Sequence, residues 1–373
     1  MKKIRILQII HSLHIGGAEE VVVNLALGIN TEKFEMHVCC LKETGVLANR
    51  LSKNDIPIHT IQKGKGNKYF NSIIGLRQLI KKISPDIIHT HSDPALINIG
   101  PIFLFGKMPP LVHTYHFGNY PHIKKKYLYI QRIFSRFVKQ LVAVSNYQRE
   151  TLLNCHLANK NNIITIYNGV AEDTSKCLDQ QRLEIRDQLC VSNNEILIGT
   201  IAVLSNQKGI EYLLDAISIL KREDIEIKFV IVGGGPLEVY LRNRAVQLGL
   251  DDKVIFTGWR NDARKYFAAF DIFLQPSLWE AFSIVLLEAM SSKMPIITTD
   301  VGEHKNVIKN EISGLLIKPK SSAEIVKAIE KLINDKHLCS KLGGNAYETY
   351  IEKYTINAMI NSYEKLYMNM LSE

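Results

Sequence analysis

The stretch from Gln275 to Met290 reads QPSLWEAFSIVLLEAM. A Pro-Ser turn leads to Glu280, and the apolar run Ile284-Val285-Leu286-Leu287 is followed by a second carboxylate, Glu288. Ser283 is a good N-cap residue type, so the spacing predicts a helix that opens there. Ile284 and Glu288 then share a face, and the neighbours Leu286, Leu287, Ala289 and Met290 predict burial nearly all round. A carboxylate in such a helix needs hydrogen-bond partners, because a buried charge left unpaired is costly. The amides of residues 282–285 point out of the helix start, which suits a phosphate. A carboxylate before a helix, an anion site at its mouth and a second carboxylate inside fit a ligand with a polar head, a diphosphate and a diol tail. The plainer reading is a core helix whose Glu288 faces solvent or a lysine.

Outward from this stretch, the same alternation recurs. In the second half the pattern predicts strands over 196–204, 225–232, 253–256, 272–275, 295–298 and 314–317. Helices fall at 210–220, 237–248, 263–269, 322–334 and 336–349, and glycine-rich loops such as Gly233-Gly234-Gly235-Pro236 lie between. In the first half, strands are expected at 4–10, 36–41, 58–62, 85–91, 111–116, 141–145 and 163–167. Helices are expected at 18–27, 70–82, 124–139 and 146–153, with a flexible connection at 64–67. Repeated βα units in both halves predict two doubly wound α/β domains. The turn pair Asn168-Gly169 and the polar, aperiodic stretch 171–194 mark the boundary between them.

A chain of 373 residues, 46% apolar and 22% charged, has the composition of a soluble globular protein with about two domains. No run of 18 apolar residues predicts a membrane span. The basic start resembles a signal peptide, but Arg5, Gln8, His11 and His14 interrupt it and no small-residue cleavage site follows, so a first strand is expected. The six cysteines, at 39, 40, 155, 177, 190 and 339, show no CxxC spacing, which predicts reduced thiols and a cytoplasmic protein. The net charge of +9 is uneven: residues 1–170 carry 22 Lys and Arg against 9 Asp and Glu, the remainder 24 against 28. A basic first half suits an anionic partner, at the inner face of a membrane for instance, or is plain solubility. No stacking-aromatic or helix-turn-helix pattern accompanies it, so nucleic acid is not expected.

His91 and His116 sit at strand ends, where ligands of open parallel sheets bind. A metal set of His89, His91, Asp93, His113 and His116 can be drawn, but alternate residues on a strand point to opposite faces, so no adjacent pair converges by spacing and no metal is expected. The helix opened by Lys124-Lys125-Lys126 is basic and aromatic, a composition able to rest on anionic lipid.

In this order and at these intervals, the segments resemble glycosyltransferase family 4, the retaining nucleotide-sugar transferases of GT-B fold. The likeness is carried by Gly16-Gly17-Ala18-Glu19, Thr114-Tyr115-His116, Ala143-Val144-Ser145, Tyr167-Asn168-Gly169-Val170, Gln207-Lys208-Gly209, Gly233-Gly234-Gly235-Pro236 and Phe256-Thr257-Gly258-Trp259. Its most specific part is residues 276–283 with Glu288-Ala289-Met290, where Glu280 and Glu288 stand in the family's E-x7-E spacing. Asp300-Val301-Gly302 and Gly314-Leu315-Leu316 also match.

The resemblance implies two Rossmann-like domains facing across a cleft. An acceptor domain would span 1–170, a linker 171–194 and a nucleotide-sugar domain 195–353, with the helix 354–373 packing back on the first. It implies transfer of a hexose-type sugar from a nucleotide-diphosphate sugar, UDP-sugar ahead of GDP-sugar, to a glycan or lipid-linked acceptor of surface polysaccharide or lipopolysaccharide. It also implies no metal, no cofactor and a departing diphosphate that takes the acceptor's proton. Glu280 would contact sugar hydroxyls and Glu288 the ribose diol. Lys208, Gly16, Gly17 and the backbone of Ala281, Phe282, Ser283, Ile284 and Val285 would line the diphosphate and sugar, Gly234 would also bind the donor, and Trp259-Arg260 would border the base. His116 would reach the reacting carbon, and the catalytic set would be His116, Glu280 and Lys208. His91, Tyr115 and His116 would lie on the acceptor side.

The sequence departs from the family at Val203, where many members carry an Arg, so one diphosphate contact is missing or falls to Arg260 or Lys305. Ala281 replaces a usual glycine. The family's Gly-Gly-x-Pro-Glu segment reads Gly302-Glu303-His304-Lys305-Asn306 here. Two other readings stay open: a nucleotide-sugar epimerase or hydrolase of the same fold, and a non-catalytic nucleotide-binding partner subunit.

Overall fold

Apolar runs with no alternation make strands buried on both faces, and the chain contains two sets of them. A computed structural model describes residues 2–61, 68–116, 125–172, 178–221 and 227–372. The connection expected at 64–67, Lys124 and Cys177 lie outside the described residues.

The first set comprises β1 (Ile4–Ser12), β2 (Phe34–Glu43), β3 (Ile58–Thr60), β4 (Ile87–His91), β5 (Leu111–Tyr115), β6 (Gln140–Ala143) and β7 (Ile163–Thr165). Among the described residues they form one sheet in the order β3-β2-β1-β4-β5-β6-β7, parallel throughout. The second set comprises β8 (Ile196–Ile201), β9 (Ile227–Val232), β10 (Val254–Gly258), β11 (Ile272–Gln275), β12 (Ile296–Thr299) and β13 (Leu315–Ile317). Its order is β10-β9-β8-β11-β12-β13, again parallel. Both are doubly wound sheets, and in each the order reverses beside the first strand, at β1/β4 and at β8/β11.

The expected elements are present with shifted ends. β8 stops at Ile201 rather than at 204, although the Ala202 and Leu204 amides still donate to the carbonyls of Val232 and Gly234. Residues 263–269 form a 3-10 helix rather than an α-helix. The basic stretch expected to be helical over 124–139 is an α-helix at Lys125–Phe134, then a 3-10 turn at Ser135–Phe137, before β6 begins.

The chain divides into two compact units, Met1–Gly169 with Ile356–Glu373, and Val170–Thr355. The last helix, Ile356–Ser372, belongs with the first unit. Tyr367 Oη lies 2.7 Å from His89 Nδ1 and Tyr363 Oη 3.1 Å from Thr114 Oγ1, and Glu364 accepts the Asn30 amide at 2.7 Å.

The stretch 171–194, expected as an aperiodic linker, contains the helix Leu178–Gln188, which belongs to the second unit. It has no apolar stripe, because two arginines attach it. Arg186 is 1% exposed and donates to Ala269 O at 2.8 Å, Ser192 O at 2.7 Å, Asp271 Oδ2 at 3.2 Å and also to Glu195 O. Arg182 donates to Asp271 Oδ1 at 2.7 Å. Arg186→Met therefore leaves four acceptors, the buried Ala269 carbonyl among them, without this donor and is expected to cost about 2–4 kcal/mol, below the range for a fully buried ion pair because Asp271 is partly exposed. Arg182→Met, at a partly exposed side chain, is expected to cost about 1 kcal/mol. Urea denaturation with an unchanged m-value measures both; two near-neutral variants would return the stretch to the status of a linker.

Candidate functional site

The second sheet reverses order between β8 and β11, and the loops at the carboxyl ends of these strands are where such sheets bind ligands. Lys208 closes the 3-10 turn Asn206–Lys208 after β8. Gly209 follows at φ +61°, and a Cβ there would stand 2.2 Å from the Pro276 carbonyl oxygen, so only glycine fits. Leu278 N donates to Gln207 O at 2.7 Å. The loops after β8 and β11 are thereby fastened together.

Glu280 stands between them, 6% exposed. Its Oε1 accepts from Lys208 Nζ at 2.5 Å, Ser277 Oγ at 2.9 Å and Gln275 Nε2 at 3.2 Å; its Oε2 accepts from Gln207 Nε2 at 3.1 Å. Burial alone would raise its pKa, but the charge of Lys208, the field of His304 and the hydrogen bonds from Lys208 and Ser277 outweigh it and hold the carboxyl below its ordinary value. Glu280 is thus a carboxylate at neutral pH, fully engaged from one side. Gln207, Gln275 and Ser277 lie in the quoted motifs but were given no role from the sequence; for Gln275, a polar residue ending a buried strand is the signal that points to one.

The loop after β12 completes the wall. Gly302 adopts φ +54°, with its would-be Cβ 1.9 Å from Glu280 O. Thr299 Oγ1 donates to Ser277 O at 2.6 Å, Thr298 Oγ1 donates to Gln275 O at 3.2 Å and lies 2.9 Å from His304 Nδ1. His304 is buried, and burial lowers its pKa to about 4 against the opposing pull of Glu280, so the imidazole is neutral.

The helix Ile284–Ser291 opens as expected: the Ser283 hydroxyl caps it, accepting from Leu286 N at 3.2 Å, and also pairs with Gln275 at 3.0 Å. The expectation of burial nearly all round is corrected. Leu286, Leu287, Ala289 and Met290 are buried, whereas Ile284, Val285 and Glu288 form one half-buried stripe. Ile284 and Val285 stand four and three residues before Glu288, the spacings that bring helix side chains together, so that stripe starts at the helix mouth and runs to Glu288. Ala281 and Phe282 are buried, and the Phe282 ring packs edge-on against Tyr354 at 5.3 Å.

Gly234 lies against Trp259: a Cβ on it would stand 2.5 Å from the indole, and Trp259 itself is 51% exposed. Arg260 is held by its own unit, donating to Tyr266 Oη at 2.6 Å with its guanidinium 5.5 Å from that ring. Val203 and Lys305 are both exposed.

In the first unit, Gly16 is extended and Gly17 begins the helix Gly17–Gly28 after β1. His91 ends β4 and His116 follows β5. The expectation that no adjacent pair converges by spacing is corrected. His89 and His91, two apart, share a face with ring centroids 4.0 Å apart, and His91 Nδ1 lies 3.1 Å from His116 Nε2. Burial lowers all of their pKa values, His113 and His116 to about 3, so the cluster is neutral. Among the described residues no group of three or more side chains is placed to hold a metal ion. Tyr115 is buried in the apolar core of the first unit.

Residues 181–349 match the family model of glycosyl transferases group 1, and residues 15–174 that of glycosyltransferase family 4. The chain is 26% identical over 370 residues to the UDP-Gal:alpha-D-GlcNAc-diphosphoundecaprenol alpha-1,3-galactosyltransferase of Escherichia coli, spanning 96% of this chain and 95% of that one. It is 36% identical over 169 residues to O-antigen chain mannosyltransferase C of Escherichia coli, 44% of each chain. Among solved structures, HepE of Anabaena in complex with UDP and glucose aligns with a TM-score of 0.87 at 22% identity, over 97% of this chain and 99% of that one, a likeness of fold. No described helix is long and apolar enough to cross a membrane.

Lys208→Met leaves Glu280 buried without its cation and is expected to cost about 3–5 kcal/mol at pH 7. In the wild type, the folded pKa of Glu280 lies below its ordinary 4.5, so its contribution is present above that value and is lost as pH falls through the folded pKa. In the variant, burial without Lys208 pushes the pKa up, so the penalty shrinks as pH falls and the carboxyl takes a proton. Denaturation midpoints at pH 7 and pH 5 test this; a pH-independent penalty would contradict it.

Proposed function

Because the chain belongs to glycosyltransferase family 4 of the glycosyl transferases group 1, we propose that it moves a hexose-type sugar from a UDP-sugar to a glycan or lipid-linked acceptor of a surface polysaccharide or lipopolysaccharide. The observation that carries the donor assignment is the Lys208–Glu280 pair at the strand-order reversal of the second sheet, beside the mouth of the helix Ile284–Ser291.

Each part has a role under this reading. A diphosphate brings negative charge that must be met in a partly buried site. Lys208 and the amides of Ser283, Ile284 and Val285, at the positive end of a helix, meet it. Glu288, at the far end of the half-buried stripe, accepts the ribose diol, and the exposed Trp259 borders the base. Glu280 accepts sugar hydroxyls. Transfer proceeds with retention and without a metal ion: the departing diphosphate takes the proton of the acceptor hydroxyl while Lys208 and the helix terminus stabilise the charge that develops on it. His116 is assigned to the transfer step.

A UDP donor and a lipid-linked acceptor agree with the name of the Escherichia coli galactosyltransferase and with the UDP-glucose bound by HepE. A membrane-facing acceptor also agrees with the helix Lys125–Phe134 of the basic first unit, where Tyr127 and Tyr129 are 41% and 66% exposed.

A thermal-shift screen with UDP-, GDP- and ADP-sugars tests the donor. A UDP-sugar present at about 100 times its Kd should stabilise the chain by about 2.7 kcal/mol, and stabilisation by GDP- or ADP-sugars alone would refute the base assignment. Glu288→Ala should weaken UDP-sugar binding by about 1.5–3 kcal/mol for each charge-assisted hydrogen bond lost; unchanged affinity by calorimetry would remove Glu288 from the ribose. His116→Ala should lower transfer far more than donor affinity, and equal losses would make it structural. Donor binding with no turnover on any acceptor extract would favour the non-catalytic partner subunit, the reading that Val203 motivates.

A further inference from the structure

His304 has one satisfied ring nitrogen and one that is not. The Thr298 hydroxyl has a single proton and directs it at Gln275 O, 3.2 Å away. It therefore acts as acceptor toward His304 Nδ1 at 2.9 Å, and Nδ1 carries the ring's proton. The neutral imidazole is left with a bare lone pair on Nε2. That atom is buried and has no hydrogen-bond partner among the described residues.

A buried acceptor without a donor is destabilising, and an apolar side chain would fill the same space without that penalty. The ring is also linked to the Glu280 carboxylate through two residues: Thr298, on Nδ1, donates to Gln275 O, and the Gln275 side chain donates to Glu280 Oε1 at 3.2 Å. The loop that holds it is pinned to the Glu280 backbone through Gly302 and to Ser277 through Thr299. A loop fastened to the Glu280 and Ser277 backbone thus carries an unused acceptor.

We infer that His304 Nε2 accepts a hydrogen bond from a hydroxyl of the donor sugar, so that the loop 300–304 selects among hexoses by the presence and orientation of that hydroxyl. The inference rests on the reading of the second unit as the donor site. When a diphosphate draws the Lys208 ammonium away, Oε1 of Glu280 loses one of its three donors. Glu280 and Nε2 are then two acceptors facing one ligand, an arrangement complementary to a sugar bearing neighbouring hydroxyls. This part of the chain, Gly302-Glu303-His304-Lys305-Asn306, is also where the sequence leaves the family pattern, so specificity residing here is particular to this chain.

Calorimetry on the full chain, with UDP, UDP-glucose, UDP-galactose and monodeoxy derivatives of the better binder, tests the inference. His304→Phe should leave UDP affinity within about twofold and lower affinity for the better UDP-hexose by about tenfold, the scale of one lost hydrogen bond. One monodeoxy derivative should bind wild type and His304→Phe equally. His304→Gln, whose carboxamide oxygen can stand near the Nε2 position, should recover part of the loss. If the ratio of UDP-hexose to UDP affinity is the same in wild type and His304→Phe, or if both affinities fall together, the inference is overturned while the donor site stands. If the wild type binds neither UDP nor any UDP-hexose, the donor-site reading fails and the inference fails with it.

Discussion

A single buried carboxylate organises the second unit. Glu280 is ionised and nearly inaccessible, and such a group survives only with donors on every lone pair. They are drawn from two strand ends: Gln207 and Lys208 after β8, and Gln275 at the end of β11 with Ser277 in the loop beyond it. To bring these together the loops must touch backbone to backbone, and glycine stands where they do, Gly209 on the Pro276 carbonyl and Gly302 on the Glu280 carbonyl. A well-packed apolar cluster of the same volume would stabilise the unit as well or better. The arrangement is therefore hard to account for by stability alone, and it lies where the strand order reverses.

The first unit meets the same problem of buried polarity with neutral groups. His89, His91, His113 and His116 are kept uncharged by burial, and hydroxyls supply their partners: Tyr367 and Thr114 for His89, Thr90 for His113. Two of the tyrosines around this cluster come from the last helix, so the chain must return to the first unit before its polar interior is satisfied. The division of the chain at Thr355/Ile356 thus follows from hydrogen bonding as much as from apolar contact.

What the sequence made legible is what periodicity encodes. Unbroken apolar runs placed thirteen strands, and Ser283 before an apolar run placed the cap and the helix behind it. The helix Leu178–Gln188 was not legible, because arginine-to-carbonyl hydrogen bonds attach it and those leave no periodic trace. Burial of the helix Ile284–Ser291 was overestimated for a related reason: Ile284 and Val285 are apolar yet half-buried, and composition does not tell an open apolar stripe from a closed one. The convergence of His91 with His116 depends on the register of β4 against β5, which no single strand carries. Glu280 and Lys208 were legible as site residues, but the pairing between them and the roles of Gln207, Gln275 and Ser277 were not, since these groups come from the ends of two strands far apart in the chain.

The absence of an arginine at Val203 sharpens how the two halves of a donor would depend on each other. Arg260 is committed to Tyr266, so on the proposed reading Lys208 and a helix terminus worth roughly half a charge meet most of the diphosphate. Lys208 cannot serve the diphosphate and remain 2.5 Å from Glu280 at full strength. Once it turns, Glu280 is a buried carboxylate whose principal counter-charge has been shared out, and new donors must take its place. Sugar hydroxyls are the groups at hand. Diphosphate and sugar recognition are then a single coupled event: the nucleotide withdraws the cation, and the hexose supplies the hydrogen bonds that make the withdrawal tolerable.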